Sequence, residues 1–206
     1  MFTRKVSRRA MLAMTGALAA VSLLPAGEAM AARRGGGTTT LTAQEKSDLI
    51  FMREEEKLAR DVYLTLFEVW GTPVFANIAT SEQQHMDAIL GLLNTYKLPD
   101  PSVGKMVGEF ANAELQALYD ALIARGKQSA LEALMVGGVI EETDIEDLVA
   151  AMETSRLSNI DSVYQNLLNG SYNHLRAFAN NIKSLTGQPY VAQVGSEELV
   201  DSVRGV

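Results

Sequence analysis

The sequence predicts an all-α fold. Four long helices and one short crossover helix are expected. Three observations predict this. Apolar residues recur every three or four positions through four long windows. Helix-stopping residues separate those windows: Gly71-Thr72-Pro73, Pro99-Asp100-Pro101, Gly126 and Gly187-Gln188-Pro189. No alternating strand pattern occurs before Tyr190.

The elements follow in order. The first helix is expected over 42–70, with Thr42 as N-cap and Glu45 at the capping-box spacing. On its outer surface Arg53, Glu54 and Lys57 read as solvated. The second helix is expected over 74–97. An irregular, glycine-containing stretch follows at 102–111, then a short helix over 112–125. The third long helix spans 129–154 and the fourth 159–185. The tail, 190–206, reads as extended, with one turn near Glu197.

The start of the chain has a different character. Arg4, Lys5, Arg8 and Arg9 precede the apolar run from Ala10 to Leu24, which ends at Pro25. Ala29-Met30-Ala31 places small residues at both specificity positions of a signal-peptidase site. The run is short for a membrane span of ~20 residues. Ser7-Arg8-Arg9-Ala10-Met11-Leu12 resembles the twin-arginine export motif, with Ala-Met where larger apolar residues are usual. The expected organisation is an export signal at 1–31, a glycine-threonine linker at 32–41, a helical bundle at 42–186 and a tail at 187–206. The expected location is periplasmic or secreted, with no stable membrane span after signal removal.

Composition narrows the chemistry. The chain has 206 residues, a net charge of -7 and no cysteine. Thiolate metal sites, disulfides and cysteine nucleophiles are excluded. An acidic surface is unsuited to wrapping nucleic acid.

The informative residues interrupt the apolar stripes. On the second helix Phe75, Ile78, Glu82, His85, Ile89, Leu92 and Tyr96 share a face. Burying an unpaired carboxylate costs on the order of several kcal/mol, so Glu82 needs a partner. A Glu and a His at i, i+3 suit a shared cation. On the first helix, Glu56 lies in the stripe Met52, Ala59, Tyr63, Leu66, Trp70. Glu55 lies in the adjacent stripe Phe51, Leu58, Val62, Leu66, Val69. On the third helix, Glu141 shares a face with Leu134, Gly138, Ile145 and Leu148. Asp144 stands one turn on, and Glu142 opens a neighbouring stripe with Val139 and Val149. On the fourth, His174 is centred among Tyr164, Leu167, Ser171, Phe178 and Ile182. Both histidines of the chain are therefore mid-stripe on long helices. A metal site explains this better than a buried polar network without metal.

These residues carry a resemblance. Glu56-Lys57-Leu58-Ala59-Arg60-Asp61-Val62-Tyr63, followed by Glu82-Gln83-Gln84-His85, resembles the first half of a ferritin-like or rubrerythrin-like di-metal bundle. The region from Thr42 to Leu185 is similar to the ferritin-like family DUF2202. The match is carried by the motif beginning Glu54-Glu55-Glu56, Glu82 with His85, Glu141-Glu142-Thr143-Asp144-Ile145, and Gly170-Ser171-Tyr172-Asn173-His174. The halves also echo each other: Glu55-Glu56 with Asp61 aligns with Glu141-Glu142 with Asp147.

The resemblance implies a ferritin-like four-helix bundle with a pair of divalent ions. The family plan places Glu-x-x-His on the fourth helix, whereas this chain has Ser171-x-x-His174. Asp144 is the expected replacement. The implied ligands are Glu56, Glu82, His85, Glu141, Asp144 and His174, with Glu55 and Glu142 left open as alternatives. Oxygen and imidazole donors suit iron, manganese or zinc and do not choose among them; iron is the first expectation. Two functions stay open. One is a redox protein that oxidises iron or reacts with oxygen or peroxide. The other is a non-redox binding module with a structural metal, and a metal hydrolase is a third. An oligomer is compatible with all of them.

Overall fold

The computed structural model describes residues 40–204. Six helices and no strands occur among them: α1 (Ala43–Trp70), α2 (Pro73–Thr95), α3 (Ala113–Gly126), α4 (Ala130–Thr154), α5 (Ser158–Thr186) and α6 (Glu197–Arg204). The expected export signal, with its basic start and apolar run, lies outside the described residues. So does the linker up to residue 39; Leu41 is already buried in the core.

Capping residues set the ends as the sequence suggests. Thr42 Oγ1 accepts from the Glu45 amide while Glu45 Oε2 accepts from the Thr42 amide, so two orphan N–H groups are satisfied reciprocally. Gly71 closes α1 in the left-handed conformation, φ 63°, where a side chain would be strained. Gly187 does the same for α5 at φ 74°. Ser129 and Asn112 cap α4 and α3 through their side chains.

The long helices form two hairpins, α1 with α2 and α4 with α5. The hairpins join through α1 against α4 and α2 against α5, closing a ring of four. The long connection carries α3, which packs on α1 and α4. Tyr63, Phe75 and Phe178 meet at the ring's centre, with centroids 5.2 to 6.2 Å apart. Phe75, Ile89, Tyr63, Leu167 and Phe178 are all buried, as their stripes require. Gly137 makes this closeness available: a Cβ there would lie 2.4 Å from the Phe178 ring.

Three expectations are corrected. Arg53, Glu54 and Lys57 are buried, not solvated. The connection between α2 and α3 folds over them. Arg53 binds Asp100 and the Met86 carbonyl, Lys57 pairs with Asp61 and donates to the Met106 carbonyl, and Glu54 accepts from the Ala111 and Asn112 amides. Helical periodicity reports the face toward neighbouring helices and is blind to polar backbone from a loop. The tail is the second correction. It is not merely extended: α6 packs on α5, and Tyr190, Val200 and Val203 are buried. Third, Val69 and Val149, placed on apolar stripes, are exposed at the rim. Among the described residues, no helix is long and apolar enough to cross a membrane.

Candidate metal centre

Each long helix of the ring brings at least one acid or imidazole to the cluster. Glu82 is the hinge of the arrangement. Its Oε2 lies 2.9 Å from Nδ1 of His85, one turn along α2, and its Oε1 lies 2.8 Å from Nδ1 of His174 on α5. Glu56 Oε2 approaches His85 Nδ1 at 3.2 Å, and Glu141 Oε2 approaches His174 Nδ1 at 3.4 Å. The imidazoles stack across Glu82 with centroids 5.4 Å apart. Two triads result, Glu56/Glu82/His85 and Glu82/Glu141/His174, each with its donor atoms within 4.8 Å of one another. Every member is buried.

Asp144 belongs to neither triad. Its Oδ2 accepts the Ser171 hydroxyl at 2.5 Å. Ser171, the departure noted in the sequence, is thus hydrogen-bonded to the carboxylate expected to replace the missing Glu. Glu55 and Glu142, the open alternatives, are buried elsewhere. Glu55 faces Asp147 at hydrogen-bonding distance. Glu142 accepts from the amides of Gln193, Val194 and Gly195 and from the Tyr190 hydroxyl. The echo between the halves is therefore not kept in register. It aligns Glu56 with Glu142, yet Glu56 and Glu141 are the pair that meets the histidines. Asp61 binds Lys57, Arg60 and the Gly108 amide, whereas Asp147 faces Glu55.

The electrostatics show how crowded this negative charge is. Burial, then the Asp144 charge, holds the Glu56 carboxyl well above the usual range, the His85 contact notwithstanding. Burial, then Glu141 and Glu82, pushes Asp144 up to about 7. Glu82 goes the other way, to about 2, because its two imidazole partners outweigh its burial. Burial disfavours charge on both imidazoles, but their carboxylate neighbours raise His85 to about 11 and His174 to about 10.

The donor set fits metal ions. Glu56 Oε1, Glu82 Oε1, Asp144 Oδ1 and His174 Nδ1 are buried and make no hydrogen bond, although Glu82 Oε1 and His174 Nδ1 are close neighbours. Buried polar atoms are rarely left so, and atoms that converge without hydrogen-bond geometry suit a shared cation. The Glu/His clusters could hold metal; the donors do not select which.

Three residues that periodicity could not single out shape the centre. Tyr63, read as core, donates its hydroxyl to Glu141 Oε1 at 2.5 Å. Ser81 Oγ lies 2.9 Å from His174 Nε2, across the α2–α5 seam. Gly170 is where His85 lies against α5: a Cβ would fall 2.5 Å from Nε2. All three contacts cross between helices, which spacing along one helix does not report.

Residues 45–204 match the family described as uncharacterized protein domain DUF2202. The chain belongs to the DUF2202 family. A relative, the uncharacterized protein MJ0754 of Methanocaldococcus jannaschii, is 45% identical over 165 residues, covering 79% of this chain and 89% of its own. The crystal structure described as hypothetical protein MJ0754 superposes with a TM-score of 0.79 at 42% identity, covering 84% of this chain and 98% of that one. The DUF2202 match extends through α6, so the docked tail lies within the family domain.

Proposed function

We propose that this protein is a ferritin-like metal protein that takes two divalent cations, iron foremost, at a centre shared by Glu82. Glu56 and His85 would serve one ion, Glu141 and His174 the other, and Asp144 the pair. One observation carries the reading: two buried triads share a carboxylate, and Glu56 Oε1, Glu82 Oε1 and His174 Nδ1 within them make no hydrogen bond. Iron bound there would supply electrons to oxygen or peroxide. The side chains bind and orient, while Tyr63, Phe75 and Phe178 keep one flank dry. The absence of cysteine leaves no rubredoxin-type electron site in the chain.

Elemental analysis of protein from its own host tests the centre, with about two ions per chain expected. Visible absorbance developing when ferrous-loaded protein meets air supports the redox role. Tightly held zinc with no such change supports the non-redox module, and ester or phosphoester hydrolysis by the zinc form would point to a hydrolase. The same proposal puts the protein outside the cytoplasm by twin-arginine export. Arg8→Lys with Arg9→Lys should stop export; unchanged export would leave a general secretory signal.

A further inference from the structure

The two halves of the centre are held differently from outside. In the His174 half, both unshared ligands are fixed by groups that are not themselves ligands. Ser81 Oγ sits 2.9 Å from His174 Nε2. With Nε2–H donating to that oxygen, Nδ1 is the nitrogen turned toward Glu82 and Glu141 and the one that would give up its proton to an ion. Tyr63 donates to Glu141 Oε1 at 2.5 Å, leaving Oε2 toward His174. The Tyr63 ring is itself fully buried against Phe75 and Phe178.

The His85 half has no such supports among the described residues. Glu56 hydrogen-bonds to His85 itself, and its Oε1 makes no hydrogen bond. His85 Nε2 faces the Gly170 backbone, which offers close packing and no hydrogen-bonding side chain. A ligand fixed in advance loses less freedom when it binds. Supports of this kind are worth about 10–100-fold in metal affinity.

We infer that the two cation positions are unequal: the Glu82/Glu141/His174 position fills first and tightly, with Ser81 and Tyr63 as its positioning residues, and the Glu56/Glu82/His85 position fills second and exchanges. This rests on the proposed metal centre and adds an order of loading to it. The His85 half is then the position from which a cation can leave or turn over, while the His174 half keeps its ion.

The test uses zinc, which has no redox chemistry, titrated into metal-free full-length mature protein and followed by calorimetry. Two steps separated by about 10-fold or more are expected. Anomalous diffraction at one equivalent should show zinc beside His174. Ser81→Ala and Tyr63→Phe should each weaken the first step by about 10–100-fold and bring the two together, and Ser81→Thr should restore it. Gly170→Ala should weaken the second step alone by displacing His85. Thermal unfolding of each metal-free variant separates these effects from lost folding. Two equal steps, first occupancy beside His85, or an unchanged first step in both Ser81→Ala and Tyr63→Phe would overturn the inference while leaving the centre standing. A folded parent that binds no zinc would take down the centre and the inference together.

Discussion

Glu141 and Glu142 are neighbours on α4 and serve opposite partners. Glu141 turns inward to Tyr63 and His174, while Glu142 accepts three backbone amides from the tail together with the Tyr190 hydroxyl. One turn of one helix therefore joins the centre to the C-terminal segment. Glu142→Ala removes the acceptor for those donors. Charged hydrogen bonds are worth about 1.5–3 kcal/mol each, and the tail is expected to detach. Limited proteolysis should then cut within 190–196; a tail that stays protected would count against the tether.

Glu82 is common to both triads and Glu56 belongs to one. Glu82→Ala should therefore lower bound metal more than Glu56→Ala, and Glu54→Ala should not lower it at all. Metal per chain by elemental analysis decides this. Equal losses for Glu82→Ala and Glu54→Ala would sink the assignment.

Glu54→Ala has its effect elsewhere. The Glu54 carboxylate receives the Ala111 and Asn112 amides beneath the connection to α3. A loss of about 2–4 kcal/mol is expected by urea denaturation, with faster cleavage near exposed Val103 and Met106. Wild-type stability in this variant would mean that the connection is held by other contacts.

The metal-free protein should lose stability as pH rises toward neutrality. Asp144 titrates near about 7 in the fold, raised by burial and then by Glu141 and Glu82, against about 4 in the unfolded chain. Between those values the folded state keeps a proton that the unfolded state has released, so stability falls with rising pH. His85 and His174, raised to about 11 and about 10, act in the same direction: their contribution is full below their unfolded value of about 6.5 and is lost through the folded ones. Metal displaces these protons, so the metal-loaded form should gain affinity over the same range. Urea midpoints at about pH 5 and about pH 7.5, with Asp144→Asn flattening the carboxyl part, provide the check. A metal-free protein that grows more stable toward neutrality would contradict it.

Gly137 leaves room for the Phe178 ring beside Tyr63. Gly137→Ala should cost about 1–3 kcal/mol through overpacking. Phe178→Ala, which empties the same space, should cost about 3–5 kcal/mol. Chemical denaturation of both variants tests whether this cluster is filled. Two neutral substitutions would show that it is loose.

The inward helix faces were legible because an apolar stripe interrupted by Glu82 or His174 is visible in one dimension. Glu56 could be preferred over Glu55 on spacing, but the partner Glu55 faces, Asp147, lies on another helix and is not visible from that spacing. Arg53 and Lys57 were misread for the same reason: their partners, Asp100 and Met106, lie far along the chain in an irregular segment. Helix α6 is longer than the single turn expected near Glu197; eight residues give too little periodicity to show it, although Val200 and Val203 mark its buried side. Ser81 and Gly170 act across helices and leave no signature along their own.

The first turn of a helix ordinarily frays. Here the Glu45 carboxylate closes the capping box with one oxygen and takes the Arg156 amide, 111 residues away, with the other at 2.8 Å. Glu45 titrates below the usual carboxylate range, since these backbone donors outweigh its burial. The start of α1 is thus sewn to the turn between the last two long helices. In native-state hydrogen exchange the Arg156 amide should open only with the whole bundle, although it lies in a short surface turn. The end of the protein nearest the linker would then be among its slowest parts to exchange with solvent.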